Sequence, residues 1–277
     1  VYSGLGLLTA QPELPGAVPH HLIGFLPPSE PFDAAAFVSR AQALLPEIQA
    51  RGRIPLLVGG SGMYLKALTH GLDEAPPADP ALRAELSALP PDELLRRLDA
   101  ADPGARALID VQNPRRVQRA LEIVLQTGRS LAECRRSWSS RETPGYRGLL
   151  LVRDRADLDA RIAANVDAMF ARGVVDEVAA FFGGKSAPPP DFSPSHPEFP
   201  FGSTALQAIG LREILALLRG ELTESQCREA IVRATRQYAK RQLTWFRNQF
   251  SFSVIDLTGQ RQFPQALSAA LNLLGEA

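Results

Sequence analysis

Nine residues, Ile54 to Gly62 (IPLLVGGSG), constrain this chain more than any other stretch. An apolar run of strand length passes directly into glycines flanking a single serine, and a helical pattern follows through Leu68. A strand that dispenses with polar alternation is one buried on both faces. A strand, a tight turn and a helix in succession is the unit from which parallel α/β sheets are built. The upstream sequence keeps this rhythm. HHLIGFL, from His20 to Leu26, is a short apolar run beside a Pro-rich turn and predicts a strand. From Asp33 to Arg51, the residues Ala36, Phe37, Ala41, Leu44, Leu45 and Ile48 recur with helical period behind a capping Asp33.

Between Pro76 and Arg147 the rhythm changes. ADPALRAELSAL, PDELLRRLDAA, NPRRVQRALEIVLQTG and SLAECRRSW are all helical patterns, several opened by Asp, Asn or Ser with Pro near the first turn. No strand pattern interrupts them, so residues 76–147 read as an all-α insertion. GLLLVR, from Gly148, predicts a strand, followed by helices at Asp157–Phe170 and Val174–Phe182. A proline-rich loop covers Lys185 to Phe201 before helices at Thr204–Leu218 and Glu224–Asn248 and a last strand, FSVIDL. The expected architecture is α/β, with the core in two parts, 1–75 and 148–277, around the helical insertion.

The whole chain balances 30 Lys and Arg against 30 Asp and Glu, yet one segment departs from neutrality. Between Arg228 and Arg247 the only acid is Glu229, and Arg233, Arg236, Lys240, Thr244 and Arg247 recur at steps of three and four. On a helix they share a face. Two readings stand: a solvated Arg-rich surface, in a chain whose only lysines are Lys66, Lys185 and Lys240, or a polyanion-binding helix. Arg115, Arg116 and Arg119 form a second cluster with Val117, Ala120 and Leu121 turned inward, and there a structural ion-pair helix built on Glu122 is the plain alternative.

Cys134 and Cys227 are far apart, with no Cys-x-x-Cys and no nearby histidine pair, which argues against both a metal centre and a disulfide scaffold and fits a reducing cytoplasm. No run reaches the length of a membrane span. The start, Val1-Tyr2-Ser3-Gly4, has neither the basic nor the apolar region of a signal peptide and reads as the middle of something longer.

Gly59-Gly60-Ser61-Gly62 is the place where chemistry is best sought. Free N–H groups and the dipole of the following helix favour an anion there, glycines admit close approach, and Ser61 sets a hydroxyl at the mouth. The alternative is a tight turn with Ser61 as N-cap. Gly184-Lys185-Ser186 mimics the end of a phosphate loop. It is a decoy: Ala179 stands where the first glycine belongs, and a helix rather than a strand precedes it. No role follows from the sequence for Asp176 and Glu177.

These pieces occur in one order. VYSGL…TAQP, VPHHLI, PSEPFDAAAFV, IPLLVGGSGMYLKAL, ADPALR, NPRRVQRALE, GVVDEV, ALQAIGLRE and YAKRQLTWFR together resemble the bacterial tRNA dimethylallyltransferases, over essentially the whole chain. The resemblance implies a P-loop-kinase-like parallel sheet and transfer of a dimethylallyl group from dimethylallyl diphosphate to the exocyclic amine of the adenosine beside the anticodon. It also implies Mg2+ on the leaving diphosphate, a tRNA partner held by its anticodon arm, and a cytoplasmic monomer. Ser61 stands where the family usually has a threonine close to the amine and the diphosphate, with Gly59 and Gly60 beside it in the diphosphate cradle. Arg83 and the helical insertion with Arg115, Arg116 and Arg119 match segments that hold tRNA, as do Gln207, Arg212, Lys240, Arg241, Gln242, Thr244 and Arg247.

The sequence also departs from that pattern. Relatives begin with a strand, a Gly-rich phosphate loop and a general-base aspartate, all of which would precede Val1. Leu8 and Gln11 replace a glycine and a lysine of the segment after it. A chain of this extent is therefore expected to hold RNA but not to turn over, because Glu13, Glu30 and Asp33 lie where the family uses other chemistry. A non-catalytic tRNA-binding protein and a nucleotide-kinase-like enzyme are the rival readings. The kinase needs the same phosphate loop and has no use for two Arg clusters.

Overall fold

The computed structural model of the protein describes residues 1–12, 18–72, 75–134, 140–143, 145–183, 199–259 and 263–275. Its helices, in chain order, are α1 (Ala34–Ala50), α2 (Gly62–His70), α3 (Pro80–Ser87), α4 (Pro91–Ala101), α5 (Pro114–Thr127), α6 (Leu131–Cys134), α7 (Arg155–Ala171), α8 (Val174–Ala179), α9 (Leu211–Leu218), α10 (Glu224–Gln249) and α11 (Phe263–Gly275). Strands β1 (Leu149–Val152) and β2 (Ser253–Asp256) pair in parallel, Leu149 opposite Ser253 through Val152 opposite Asp256. No described helix is long and apolar enough to cross a membrane. The chain divides into two compact units, Val1–Leu65 with Arg141–Ala277, and Lys66–Ser140.

Local chemistry sets several helix ends. Asp33 accepts from the Ala36 N–H and Asp79 from those of Ala81 and Leu82, and Asn113 caps α5 ahead of Pro114. Gly128, in the left-handed region, ends α5. Thr223 and Gln226 form a reciprocal capping box at the start of α10. Each such cap is worth about 1 kcal/mol, enough to fix where a helix begins but not to hold it in place.

Burial does the holding. In the first unit, Tyr2, Leu5, Leu8, Leu26 and Phe32 pack with Val166, Val174, Val178, Leu211, Ile214 and Ile231. In the second, Leu86, Leu94, Leu98, Val117, Leu121 and Leu131 make a separate core. The replacement residues near the start have structural roles in the first unit. Leu8 fills the space over Gly210, and Gln11 Nε2 donates to the Tyr2 carbonyl at 2.7 Å. Glu177, to which the sequence assigns no role, accepts from the N–H groups of Leu7 and Leu8 at 2.7 and 2.9 Å.

Four differences from the sequence reading have physical causes. His20–Leu26 and Ile54–Val58 are not strands: the first contributes only an isolated parallel bridge, Tyr2 to Leu26, and the second makes no ladder hydrogen bonds among the described residues. A strand exists only where a neighbour pairs its backbone groups, and apolar composition alone supplies no such neighbour. The sheet is therefore a small parallel pair among the described residues, and Ile54, Leu56 and Val58 are 94%, 79% and 86% exposed at alternate positions. The Thr204–Leu218 helix is broken. A 3-10 turn at Ala205–Gln207 and Gly210, at φ 96°, precede α9. The second compact unit runs from Lys66 to Ser140, where the sequence reading sets the helical insertion at 76–147, and fully buried Lys66 donates to the Ser140 carbonyl at 2.5 Å. Helix α11 follows the strand read as the last element. Glu13, the 135–139 end of the fourth helical pattern, Gly184-Lys185-Ser186 and most of the proline-rich loop lie outside the described residues.

Candidate active site and nucleic-acid interface

Ser61 sits at the foot of α2, where its carbonyl accepts from the N–H groups of Tyr64 and Leu65 at 3.0 and 3.2 Å. That is the backbone geometry of an N-cap. Its side chain does not cap: the residue is exposed, and its hydroxyl makes no hydrogen bond among the described residues. The hydroxyl is thus an exposed donor and acceptor at the turn. Helix α2 is anchored one turn on. Tyr64 stacks on Phe37 at 5.2 Å, its hydroxyl donates to the Phe32 carbonyl at 3.2 Å, and burial with the nearby Asp33 charge raises its pKa to about 12.

The turn before Ser61 is gripped by α10. Gln242 Nε2 donates to the Gly60 carbonyl at 2.9 Å. A Cβ on Gly60 would lie 2.0 Å from that nitrogen, and one on Gly62 would lie 2.1 Å from the Trp245 ring. Neither glycine has a positive φ, so close approach is what requires them. Trp245 also meets Phe246 and Phe250 edge-on at 5.7 and 5.8 Å. It packs, as a tryptophan in this motif readily does.

Along α10 the cations divide into two sets. Arg228 bridges Glu224 and Asp167 and lies over the Phe170 ring, and Arg236 reaches Asp159. Arg233, Lys240 and Arg247 are exposed, with no side-chain partner among the described residues; Arg241 lies 5.9 Å over the Tyr238 ring. Lys240, Arg241, Thr244 and Trp245 line an open hollow of about 560 Å³ with Gln237, Asn248 and Gln249. Of the other candidates in this unit, Gln207 donates to the Ser203 carbonyl and Arg212 to that of Leu206. Both are tied to their own turn.

The second unit shows the same division. Glu122 is 1% exposed and is held by Arg83 through two bonds of 2.9 and 2.8 Å, by Arg119 at 3.2 Å and by Gln118 at 3.3 Å. Burial raises its pKa, but the two guanidinium groups outweigh burial and leave it below the ordinary carboxylate range. Arg115 and Arg116 are exposed and have no side-chain partner among the described residues. Two of the four arginines are thus structural pins and two are free.

A depressed carboxylate stabilises the fold fully above its unfolded pKa of about 4.3 and loses that contribution as pH falls through the lower folded value. Arg83→Ala should therefore cost about 1 kcal/mol at neutral pH, because Arg83 is half exposed and Arg119 remains. It should also move the onset of acid unfolding of the helical unit to higher pH. Hydrogen exchange of α5 between pH 6 and 3 reads both, and an unchanged acid limb would show the Glu122 pair to be energetically idle.

No three His, Cys, Asp or Glu side chains converge on a possible cation position among the described residues. These side chains do not fit a magnesium ion held by the protein alone.

A profile of the IPP transferase family matches residues 1–249. The tRNA dimethylallyltransferase of Alkalilimnicola ehrlichii is 41% identical over 256 residues, covering 90% of this chain and 77% of that protein. That of Symbiobacterium thermophilum is 39% identical across 100% of this chain and 84% of its own length. The crystal structure of the full-length tRNA isopentenylpyrophosphate transferase of Bacillus halodurans superposes with a TM-score of 0.65 at 33% identity, covering 100% of this chain and 84% of that one. A eukaryotic dimethylallyltransferase captured acting on tRNA gives 0.76 at 25% identity, over 99% of this chain and 69% of that one. A profile match across most of the chain, and relatives at this identity that it covers over three quarters of their length, place it: the protein belongs to the IPP transferase family, the prenyl transferases that modify tRNA.

Proposed function

We propose that this protein binds the anticodon arm of tRNA and serves transfer of a dimethylallyl group to the exocyclic amine of the adenosine beside the anticodon. The observation that carries the reading is the free Ser61 hydroxyl, exposed beside a glycine turn that is held by the basic helix α10. In the reaction the adenine nitrogen forms a bond to the allylic carbon, the carbon–oxygen bond to diphosphate breaks, and the amine's proton passes to the departing diphosphate, whose oxygen has gained the charge of the broken bond. In this reading the Ser61 hydroxyl accepts from the amine and donates to the departing diphosphate oxygen as charge builds there. The N–H groups of Gly59 and Gly60 make no hydrogen bonds among the described residues and supply further donors. An adenine must leave its stack to reach such a hydroxyl, which costs a few kcal/mol that backbone contacts elsewhere have to offset. For the first unit we infer a P-loop-kinase-like parallel core built around the β1–β2 pair.

The free cations supply those backbone contacts: Arg115 and Arg116 in the helical unit, and Lys240, Arg241 and Arg247 on α10. Affinity for tRNA should fall steeply with salt as each neutralised phosphate releases counterions. Arg116→Ala and Arg247→Ala should each weaken binding and reduce the log–log salt slope by about 0.7 to 0.9. Arg119→Ala should act mainly on stability, since Glu122 and the Pro76 carbonyl already hold that side chain. Filter binding of an anticodon stem-loop from 50 to 200 mM salt tests this. Unchanged slopes in both exposed-arginine variants would remove these residues from the interface.

A further inference from the structure

We propose that Gln242 is a positioning residue that couples occupancy of the hollow on α10 to the Ser61 turn, rather than a direct contact to RNA. Gln242 and Trp245 stand three residues apart, on one side of α10, and each fills the space left by a missing Cβ: Gln242 at Gly60 and Trp245 at Gly62. Ser61 lies between those glycines, so two side chains of α10 bracket the hydroxyl from either side in sequence. The Gln242 amide is spent on the Gly60 carbonyl, which also accepts from the Gly62 N–H at 3.1 Å. One carbonyl thus anchors both ends of the turn. Trp245 belongs to two places at once, because its ring packs on Gly62 and also lines the hollow with Lys240, Arg241 and Thr244. A ligand that fills the hollow presses on the indole whose other side rests on the Ser61 turn.

The geometry separates this from a purely mechanical role for α10. The turn makes few other attachments: Gly59 has nothing within 4 Å of its Cβ position, and Ser61 itself is exposed. Ordering of the turn then depends on Gln242, and ligation in the hollow adds to that ordering through Trp245. This rests on the reading of α10 as a nucleic-acid-binding helix, and the test is arranged so that the two fail separately.

The experiment follows hydrogen exchange of the Gly62 amide, which donates to the same Gly60 carbonyl that Gln242 holds, in the full chain, with and without an anticodon stem-loop, and measures stem-loop affinity in parallel. In the unsubstituted protein the stem-loop should slow exchange of the turn. Gln242→Leu keeps the bulk and removes the donor. It should speed basal exchange of the turn about fivefold or more, the order set by loss of one hydrogen bond. Stem-loop affinity should stay within about twofold, as expected when no phosphate contact is lost, while the protection on binding disappears. Gln242→Leu that lowers affinity tenfold and leaves the turn's exchange unchanged makes Gln242 a direct RNA contact and overturns the proposal. A turn that is faster in the variant, yet still protected equally by the stem-loop, leaves Gln242 merely structural and overturns the coupling. Should the unsubstituted chain bind no stem-loop, the nucleic-acid reading of α10 and the coupling built on it both fall, while the basal exchange of Gln242→Leu still decides whether Gln242 holds the turn.

Discussion

Ser61→Ala should lower prenyl transfer about 10- to 1000-fold, the range seen when one hydrogen-bond donor to developing charge is removed from a preorganised site. The effect is large because the hydroxyl has no competing partner among the described residues, so nothing structural is lost with it. On the proposed reading its work lies in the transition state, where the diphosphate oxygen gains charge and the amine gives up a proton. Affinity for tRNA should barely move, because the same reading gives the phosphate contacts to the exposed arginines and Lys240. The measurement is single-turnover transfer at saturating tRNA and donor. It is made in a chain extended by the phosphate-loop segment that the family resemblance calls for, with Ser61→Thr as the conservative control. Threonine should keep most of the rate. A drop in melting temperature with normal turnover would reassign Ser61 to capping α2.

How much of this was legible in the sequence depends on how local each signal is. Helix starts read well because a cap is a contact between residues three apart, as at Asp33, Asn113 and Thr223. The strands divided by a different rule. Leu149–Val152 and Ser253–Asp256 find each other across a hundred residues, while Ile54–Val58 has the same apolar character and no paired neighbour. A single sequence gives the wish to pair but not the partner. At the candidate site, turn chemistry singles out Ser61 and periodicity the two Arg clusters, and the family resemblance implies their roles. Which arginines were free was not legible. The Arg83–Glu122 bond spans 39 positions, and only the fold shows that it, not Arg115 or Arg116, meets the buried carboxylate. The grip of Gln242 and Trp245 on the glycines spans 182 positions in the case of Gln242. Its one sequence trace was the glycines themselves, which chemistry at Ser61 explained equally well.

Gly62→Ala supplies the sharpest test of that grip, because its sign separates two physical effects. At an exposed helix position, alanine in place of glycine stabilises by up to about 1 kcal/mol, since it removes backbone freedom from the unfolded chain. At Gly62 the added methyl would lie 2.1 Å from the Trp245 ring, well inside contact distance. The indole cannot swing away freely: Phe246 and Phe250 box it in, Phe250 stacks on Phe252 at 4.4 Å, and Phe252 is itself pressed to within 2.2 Å of the Cβ position of Gly148. Relief has to come from α10 or from the turn, and overpacking of this kind costs about 1 to 3 kcal/mol. The variant should melt several degrees below the unsubstituted protein, about 2–4 °C for each kcal/mol in a chain of roughly this size. Trp245→Phe, which shortens the ring, should recover part of the loss in the double variant while costing stability alone, so the two substitutions should be strongly non-additive. A melting temperature that rises in Gly62→Ala would mean the indole does not rest on this turn, and the link between α10 and Ser61 would have to run through Gln242 alone.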